Sequence, residues 1–345
     1  MNNDIKQALS RYLSPVEPAT VTPLGNGHIN QTLLVTHSQG QFVLQRINTL
    51  VFTKPAILVN NALAIGNYLS REEVSYPYQS MAPLRSLSGN YLEKIEGQYW
   101  RAFDYIQGCS SIETMSNPEQ AQQAAFAFAT FSATLAGINT SELTPVIDNF
   151  HDLDCRLAQL STAINENKAN RLVKAQHLVD QFLSQSGFVS TVRSTTTKLQ
   201  QRITHNDTKI NNLLFKQATG QPYAVIDLDT CMPGYLMHDF GDMVRTCCSN
   251  LDEDATNISD MCFKRDIYDA LYQGYLTGAK DIISDEEEKS LVLGAVLMPF
   301  IIGSRFLTDY LNGDVYFGVK HDQHNLQRAT NQFAFYQLLK EQLPS

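Results

Sequence analysis

Alternating apolar and polar residues dominate most of the first hundred positions, and this pattern is typical of strands. Residues 20–48 combine the alternation with many β-branched residues and two turn signals, Gly25-Asn26-Gly27 and Ser38-Gln39-Gly40. The alternation returns over residues 86–106. Between these segments, residues 54–70 have apolar residues at helical spacing, with a Pro that suits the first turn of a helix. The pattern predicts an N-terminal region that is mostly sheet, with one inserted helix and a short leading helix.

Helical periodicity replaces the alternation after Gly108, first in an Ala-rich stretch and later over residues 261–343. One β-like island, residues 202–230, interrupts this helical sequence, and its two apolar runs flank a Thr-Gly-Gln turn. We therefore predict an α+β protein of two lobes. The β-rich lobe would span residues 1–106, and the mainly helical lobe would span residues 107–345.

The charge and composition exclude several classes of partner. The chain has 345 residues and a formal net charge of −9, from 26 Lys and Arg against 35 Asp and Glu. An acidic protein has no global positive field to hold a nucleic acid or an anionic membrane, so we expect neither as a partner. The six cysteines form no CxxC pair and the first residues lack a signal-peptide pattern, which predicts a cytoplasmic protein with reduced thiols. The most apolar run, residues 291–303, is too short to span a hydrocarbon core of ~30 Å and predicts a buried helix.

The β-like island contains a motif of the form His-x-Asp, four residues, Asn, followed by an apolar strand that ends in Asp. The motif residues are His205, Asp207, Asn212 and Asp227. Phosphoryl transfer requires a carboxylate that orients and deprotonates the attacking hydroxyl, and oxygen ligands that hold Mg²⁺ between the nucleotide phosphates. We assign Asp207 as the catalytic base and Asn212 and Asp227 as metal ligands, with a second metal contact from Asp229. A polar turn between strands is the alternative, but it does not explain a His-x-Asp at the start of the first strand.

This motif resembles that of the superfamily of aminoglycoside phosphotransferases and choline kinases, and the resemblance covers most of the chain. It implies a bilobed, protein-kinase-like fold and the cofactors ATP and Mg²⁺. Residues 238–242, His-Asp-Phe-Gly-Asp, are similar to the second Asp motif of the superfamily. In that case His205 and Asp239 support the catalytic loop from behind.

Two other features concern nucleotide binding. Residues 100–108 resemble the hinge between the lobes, which implies that Phe103 and Tyr105 bind the nucleotide. Gln45 occupies the place where the superfamily usually has Lys, and a Gln cannot neutralise phosphate charge. We expect the adjacent Arg46 to substitute if a bulge turns it inward.

Several blocks are closer still to the bacterial N-acetylhexosamine 1-kinases. In chain order these blocks are GNGHINQTLLV, FVLQRIN, THNDTKINN, VIDLDTCMPG, HDFGD and RFLTDYLNGDVYF. The resemblance implies phosphorylation of the anomeric hydroxyl of N-acetylglucosamine or N-acetylgalactosamine. It also implies that Gly25 and Gly27 lie in a loop over the phosphates, with His28 and Asn30 within reach of the transferred phosphate or the sugar.

A late segment supplies candidate acceptor-binding residues. A hexosamine offers hydroxyls, an acetamide and one apolar ring face, and residues 305–317 contain Arg, Asp and Tyr side chains suited to them. The resemblance implies that Arg305 and Tyr316 bind the substrate. The alternative is an ion pair between Arg305 and Asp309, four residues apart on one helix face, with the tyrosines in the core.

Other acceptors and one other class of function stay open. A choline-type ammonium would require an aromatic cage, whereas the chain has one Trp, which lies in the hinge segment. A polycationic aminoglycoside would require a dense acidic wall, which the acidic runs over 251–260 and 284–289 would supply if they line the cleft. A nucleotide-binding regulator without catalysis is suggested by Gln45, but such a module has no need of a base. We expect a small-molecule acceptor, an amino sugar.

Overall fold

The computed structural model describes residues 2–16, 18–25, 29–115 and 117–344. Its N-terminal lobe contains the strands Ala19–Pro23 (β1), Gln31–His37 (β2), Gly40–Ile47 (β3), Glu93–Ile95 (β4) and Gln98–Asp104 (β5). They form an antiparallel sheet in the order β1-β2-β3-β5-β4. Helix α1 (Asn3–Leu9) covers one face of this sheet, and helix α2 (Pro55–Leu69) connects β3 to β4.

The register of the sheet decides which side chains face the cleft. Residues that lie opposite each other in a sheet share a face, and neighbours along a strand alternate. Leu44 and Trp100 are buried in the cluster under α1. The alternate positions Gln45 and Arg101 are paired across β3 and β5 and therefore point to the other face.

The C-terminal lobe is mainly helical. Its helices are Pro118–Leu135 (α3), Leu153–Glu166 (α4), Leu172–Leu183 (α5), Ser186–Thr196 (α6), Leu236–Cys247 (α7), Arg265–Ala279 (α8), Asp285–Asn312 (α9) and His324–Gln342 (α10). Helix α9 lies at the centre of this lobe and packs against α4, α7 and α10. It is long and apolar enough to cross a bilayer by length and composition alone, but 72% of its most apolar window is buried inside the protein. This burial is that of a core helix, as the run over 291–303 predicts.

Two glycines bring α7 and α9 into direct backbone contact. A Cβ atom built on Gly241 would lie 2.1 Å from the carbonyl oxygen of Gly294, and one built on Gly294 would lie 2.1 Å from the carbonyl oxygen of Met237. Larger residues at either position would separate the helices. The close packing fixes α7, which contains Asp239, on the central helix.

The β-like island forms short strands inside the helical lobe. They are Cys109–Ser110 (β6), Arg202–Thr204 (β7), Leu213–Lys216 (β8), Pro222–Val225 (β9) and Met232–Gly234 (β10). Strands β6, β8 and β9 form one small sheet, and β7 pairs with β10. Gly220 turns the β8–β9 hairpin with a φ of +70°, in the left-handed region. The loop before β8 and the residues after β9 meet at one end of this hairpin.

The predicted α+β architecture is confirmed, with a β-rich N-terminal part and a helical C-terminal part. The leading helix α1 ends at Leu9, whereas the sequence predicts a helix over residues 4–13. Strand β5 ends at Asp104, and β6 at Cys109 already pairs with the helical lobe. The lobe boundary between residues 106 and 107 falls within this connection and stays a prediction.

Candidate active site

The loop between β7 and β8 carries the His-x-Asp motif and is fixed from behind by Asp239 on α7. The Asp239 carboxylate accepts hydrogen bonds from the backbone N–H groups of His205 (3.0 Å) and Asn206 (2.7 Å). Burial raises the pKa of Asp239 to about 6, although these two hydrogen bonds act in the opposite direction. The structure therefore brings His205 and Asp239 together behind the catalytic loop.

The His205 ring links both arms of the site. Its Nε2 atom lies 2.9 Å from the carbonyl oxygen of Ile226, which can only accept, and its Nδ1 atom lies 3.3 Å from the backbone N–H of Asp207, which donates. These partners require a neutral ring with its proton on Nε2. Because Ile226 precedes Asp227, the ring ties the Asp207 loop to the end of the hairpin.

Asp207 lies at the tip of the loop, with its side chain 28% exposed. The Asn212 amide nitrogen donates to its backbone oxygen (2.8 Å) and to Oδ2 (3.1 Å), and Lys209 Nζ lies 3.6 Å from Oδ1. Burial opposes ionisation, but the charges of Lys209 and Arg245 outweigh it and hold the pKa of Asp207 below its ordinary value. The carboxylate is thus ionised, oriented and open to an attacking hydroxyl.

Lys209 is a functional candidate that the sequence patterns did not single out. Its side chain is 44% exposed, and the Asp207 carboxylate raises the pKa of its ammonium. A Lys two residues after the base, in an extended loop, points to the same side as the base. This spacing is the sequence feature that could have identified Lys209 as a site residue. Lys209 places a positive charge beside the atom that would receive the proton.

Asp227 follows β9 directly and has a left-handed backbone with a φ of +58°. Its side chain retains exposed surface, and its carboxylate forms no hydrogen bond or ion pair with another residue in the described part of the chain. Desolvation by the cleft walls, followed by the charges of Asp229 and Asp207, raises the pKa of Asp227 to about 7. Like charges crowded in this way favour binding of a divalent cation.

The residues present fit Mg²⁺, which prefers oxygen ligands and typically takes one or two carboxylates plus substrate phosphates. Asn212 uses its amide nitrogen to hold Asp207, so its Oδ1 atom is available alongside the carboxylate of Asp227. When bound, the metal would neutralise charge between the nucleotide phosphates.

Asp229 has a different placement from Asp227. Its side chain is 4% exposed, and its Oδ1 and Oδ2 atoms lie 2.6 and 2.7 Å from Nη2 of Arg101 on β5. Asn30 Nδ2 donates to Oδ2 at 2.8 Å, and Asn30 Oδ1 accepts from the backbone N–H of Asn48. Asp229 is thus paired with the N-terminal lobe and is not left open for a metal. Both ends of the Asn30 amide form hydrogen bonds within the protein, so this side chain is not turned toward an acceptor.

Arg46 lies on the face of the sheet away from the cleft. Its Nη1 atom is 3.6 Å from Asp4 Oδ2, and its guanidinium lies 5.9 Å from the Trp100 ring centroid. The register of β3 is continuous. The bulge that would have turned Arg46 toward the cleft is therefore not present in β3. Gln45 faces the cleft instead, and its Oε1 atom accepts from Nε (3.0 Å) and Nη2 (2.7 Å) of Arg101.

The remaining nucleotide-binding candidates surround this polar contact. On the cleft face, Leu34, Val43 and Phe103 lie in register across three strands and are half-buried, so they form an apolar rung suited to a base. Tyr105 follows β5 where the chain crosses to the helical lobe. Gly25 lies two residues after β1 and has a φ of +73°. The predictions for Gly27 and His28 lie outside the described residues.

The acceptor-side candidates Arg305 and Tyr316 are in contact. The Arg305 guanidinium lies over three rings, those of Phe150 (4.9 Å), Phe317 (5.4 Å) and Tyr316 (5.5 Å). Burial lowers the pKa of Arg305, whereas Tyr316 and Asp207 act in the opposite direction. A groove of about 590 Å³ between α4 and α9 is lined by both candidates.

Asp309 does not form the ion pair that was the alternative for Arg305. Its carboxylate accepts hydrogen bonds, each 2.9 Å long, from the backbone N–H groups of Val315, Tyr316 and Phe317. It also accepts from Asn325 Nδ2 at 3.0 Å. Asp309 therefore shapes the loop that presents Tyr316 to the groove.

The cleft between the β lobe and the helical lobe thus holds the groups that phosphoryl transfer requires: a carboxylate that can act as a base, an adjacent cation and a pair of oxygen atoms that can bind a metal. Residues 20–279 match the family model described as the phosphotransferase enzyme family (APH). The chain belongs to this family, whose members use ATP.

Solved structures with the same fold cover almost the whole chain. A microcompartment-associated aminopropanol kinase has 16% identity and a TM-score of 0.64, over 98% of this chain and 96% of its own. An aminoglycoside phosphotransferase from Alicyclobacillus acidocaldarius has 14% identity and a TM-score of 0.61, over 98% and 95%. A choline kinase from Cryptosporidium parvum has 14% identity and a TM-score of 0.58, over 98% and 94%. These similarities confirm the protein-kinase-like fold, and the three proteins are named for different kinds of acceptor.

Proposed function

We propose that this protein transfers the γ-phosphoryl group of ATP to the anomeric hydroxyl of an N-acetylhexosamine, N-acetylglucosamine or N-acetylgalactosamine, and releases the sugar 1-phosphate. Family membership supports phosphoryl transfer to a small molecule. The sequence blocks similar to N-acetylhexosamine 1-kinases support the sugar. The observation that carries the choice of acceptor is the pair of arginines, Arg156 and Arg305, that line the groove between α4 and α9.

These two arginines place positive charge on the acceptor side. Burial, followed by the charge of Arg305, lowers the pKa of Arg156 to about 10, so the two guanidinium groups are close enough to repel each other. An ammonium or polycationic acceptor would add further positive charge here, whereas a neutral sugar would not. The hydroxyl and acetamide oxygens of a hexosamine accept hydrogen bonds from guanidinium N–H groups. The ring of Tyr316 offers a surface for the apolar face of the sugar.

Within the described part of the chain, the acidic runs contribute no residue to the lining of this groove, so they supply no acidic wall there. Glu253 Oε2 lies 2.6 Å from Arg245 Nη1. Asp254 pairs with three basic residues of the C-terminal segment. In the second run, Glu287 pairs with Arg202 at the start of α9. Because these carboxylates neutralise neighbouring cations, they argue against a polycationic aminoglycoside as the acceptor.

In the proposed reaction each group of the site has a role. The anomeric oxygen forms a bond to the γ-phosphorus as the bond from this phosphorus to the β–γ bridging oxygen breaks, and the hydroxyl proton passes to Asp207. An anomeric hydroxyl is more acidic than an ordinary sugar alcohol, so orientation is the main contribution of Asp207. Lys209 offsets negative charge beside the reacting oxygen. Asn212 and Asp227 would hold the metal that binds the nucleotide phosphates.

The test is a panel of acceptors incubated with the purified protein, ATP and Mg²⁺, with phosphorylated products identified by mass. N-acetylglucosamine, N-acetylgalactosamine, their 1-O-methyl glycosides, choline and aminoglycosides form the panel. We expect product from a free N-acetylhexosamine and none from its 1-O-methyl glycoside, because the anomeric hydroxyl is blocked. Product from choline or an aminoglycoside in preference to the sugars would refute the proposed acceptor but not the phosphotransfer.

We also propose a cytoplasmic location. All six cysteines are free thiols, and Cys231, Cys247 and Cys248 are buried. Free thiols in this number are typical of reducing compartments. ATP as the phosphoryl donor is consistent with the same location.

A further inference from the structure

A row of polar side chains crosses the cleft face of the N-terminal sheet. Thr32, Gln45 and Arg101 are directly in register on β2, β3 and β5. Gln45 Nε2 donates to Thr32 Oγ1 at 2.9 Å, and Arg101 donates twice to Gln45 Oε1. The row ends across the cleft, at the carboxylate of Asp229 in the helical lobe. It is a continuous connection between the two lobes.

The ion pair at the end of this row is buried. The side chains of Arg101 and Asp229 are 1% and 4% exposed. Removing one member of a buried pair leaves an uncompensated charge, whereas replacing both by neutral groups is often tolerated. Arg101 Nη1 is also buried and has no hydrogen-bond partner among the described residues, which is unfavourable for stability. A site optimised for stability alone would not leave this donor unpaired, which indicates a functional role for Arg101.

The same carboxylate joins two segments that the reaction needs. Asp229 lies two residues after Asp227, the candidate metal ligand, and it accepts from Asn30, in the segment between Gly25 and β2. One buried carboxylate thus connects the sheet, Asn30 and the segment that contains the candidate metal ligand Asp227.

We propose that Arg101, Asp229 and Asn30 form an interlobe clasp that positions Asp227 for the metal-bound nucleotide. Arg101 is the positioning residue of this clasp. It supplies the positive charge that Gln45 lacks, from the neighbouring strand and in the same row.

The first experiment measures the binding of ADP in the presence of Mg²⁺ by calorimetry, and its dependence on Mg²⁺ concentration. In Arg101→Gln we expect the affinity for ADP with Mg²⁺ to fall by ~10–100-fold, the usual effect of removing a partner that orients a metal ligand. Lys94→Gln is the matched control, since Lys94 is an exposed cation on the adjacent strand β4. The control should bind as the wild type does.

A charge exchange separates positioning from packing. The double variant Gln45→Lys/Arg101→Gln moves the cation one strand along the row and keeps one amide and one cation. We expect it to recover most of the lost affinity. If the double variant folds but binds ADP as weakly as Arg101→Gln does, the loss of affinity comes from the shape of Arg101 and not from its charge. That result would overturn the proposal.

If Arg101→Gln does not fold, Arg101→Gln/Asp229→Asn replaces it, because this variant leaves no unpaired buried charge. We expect a folded protein with the same loss of ADP affinity. Wild-type affinity and Mg²⁺ dependence in either variant, or a lower melting temperature with unchanged binding, would overturn the clasp. None of these outcomes bears on which acceptor the enzyme uses, since no acceptor is present.

Discussion

At the residue scale, Asp207 owes its reactivity to two neighbours on its own loop. Asn212 donates to the carboxylate and fixes its orientation, and Lys209 keeps it ionised. Burial works against ionisation, so without these neighbours the pKa of the carboxyl would lie higher. The base is therefore ready to orient a hydroxyl before any substrate arrives.

We predict that Asp207→Asn separates chemistry from binding. The variant keeps the shape and one acceptor oxygen but loses the charge, so kcat should fall on the order of 10²–10⁴, the scale of general acid–base contributions. Nucleotide affinity should change little, or rise slightly as a carboxylate near the phosphates disappears. Steady-state kinetics and calorimetry with ATP and Mg²⁺ measure both quantities. Asp154→Asn, on the exposed face of α4, is the control; wild-type turnover in Asp207→Asn would remove Asp207 from the mechanism.

A second residue-scale prediction concerns the acceptor groove. Arg305 lies over three aromatic rings and carries no carboxylate partner in the described residues. Arg305→Ala should therefore raise the acceptor KM or lower kcat and leave the nucleotide KM almost unchanged. Arg265→Ala, an exposed arginine on α8, serves as the control. Reduced thermal stability with normal kinetics per folded molecule would instead assign Arg305 a structural role.

The arginines of the N-terminal lobe show what residue patterns can and cannot reveal. Alternation along β3 places Gln45 and Arg46 on opposite faces, and the structure agrees. Alternation gives no register between strands, so it does not reveal that Arg101, 56 positions after Gln45, is its partner. We therefore expected the missing cation at the neighbouring position, Arg46, whereas Arg101 supplies it from the adjacent strand β5.

At the element scale, the start of α9 is tied to the strand that leads into the catalytic loop. Ser284 and Glu287 form a capping box, and Glu287 also pairs with Arg202, the first residue of β7, at 2.6 Å. Burial opposes ionisation of Glu287, but its bonds to Arg202 and Ser284 hold its pKa below the ordinary value of 4.5. The contact links the central helix to the base through β7.

This contact gives a prediction for stability against pH. A carboxyl whose pKa is lowered by folding stabilises the protein fully above its unfolded pKa, and this contribution is lost as the pH falls through the folded pKa. Glu287→Gln should thus lower the free energy of unfolding by roughly 1–3 kcal/mol at pH 7, since it removes a buried charged hydrogen-bond partner. The difference from wild type should shrink below pH 4.5.

Urea unfolding at several pH values measures this difference. The matched control is Glu286→Gln, which changes the exposed neighbour in the same helical turn. A difference for Glu287→Gln that stays constant down to acidic pH would contradict the assignment.

Elements were easier to predict than the site they build. The period of apolar residues predicted the sheet, the inserted helix that begins at Pro55 and the hairpin around Gly220, because each depends on local sequence. The loop after α9 was not predictable in this way. Its shape depends on Asp309, which accepts hydrogen bonds from three backbone N–H groups. From the sequence alone, an ion pair between Asp309 and Arg305 is an equally good interpretation.

At the scale of the whole molecule, the candidate metal site lowers the stability of the folded protein. The neighbouring carboxylates and the cleft walls raise the pKa of Asp227 to about 7, which means that the ionised side chain is disfavoured in the folded protein. We predict that Asp227→Asn raises the melting temperature of the free protein above pH 7 and abolishes phosphoryl transfer.

Thermal unfolding with and without ADP and Mg²⁺ checks this prediction. Ligands that bind the folded state stabilise it, so wild type should gain stability from ADP with Mg²⁺ and Asp227→Asn should gain much less. Asp281→Asn, in the turn after α8, is the control. Near-wild-type turnover in Mg²⁺, or an undiminished gain from the metal-bound nucleotide, would show that Asp227 is not a metal ligand.

The acceptor groove and the interlobe clasp share no residues. The groove is built by α4, α9 and the loop that Asp309 shapes, whereas the clasp consists of Arg101, Asn30 and Asp229. Selection for a new acceptor can therefore act on the helical lobe without disturbing the handling of nucleotide. The division also suits directed evolution: a library confined to the inner face of α4 and residues 313–317 would sample new alcohols while every member retains the same phosphoryl donor.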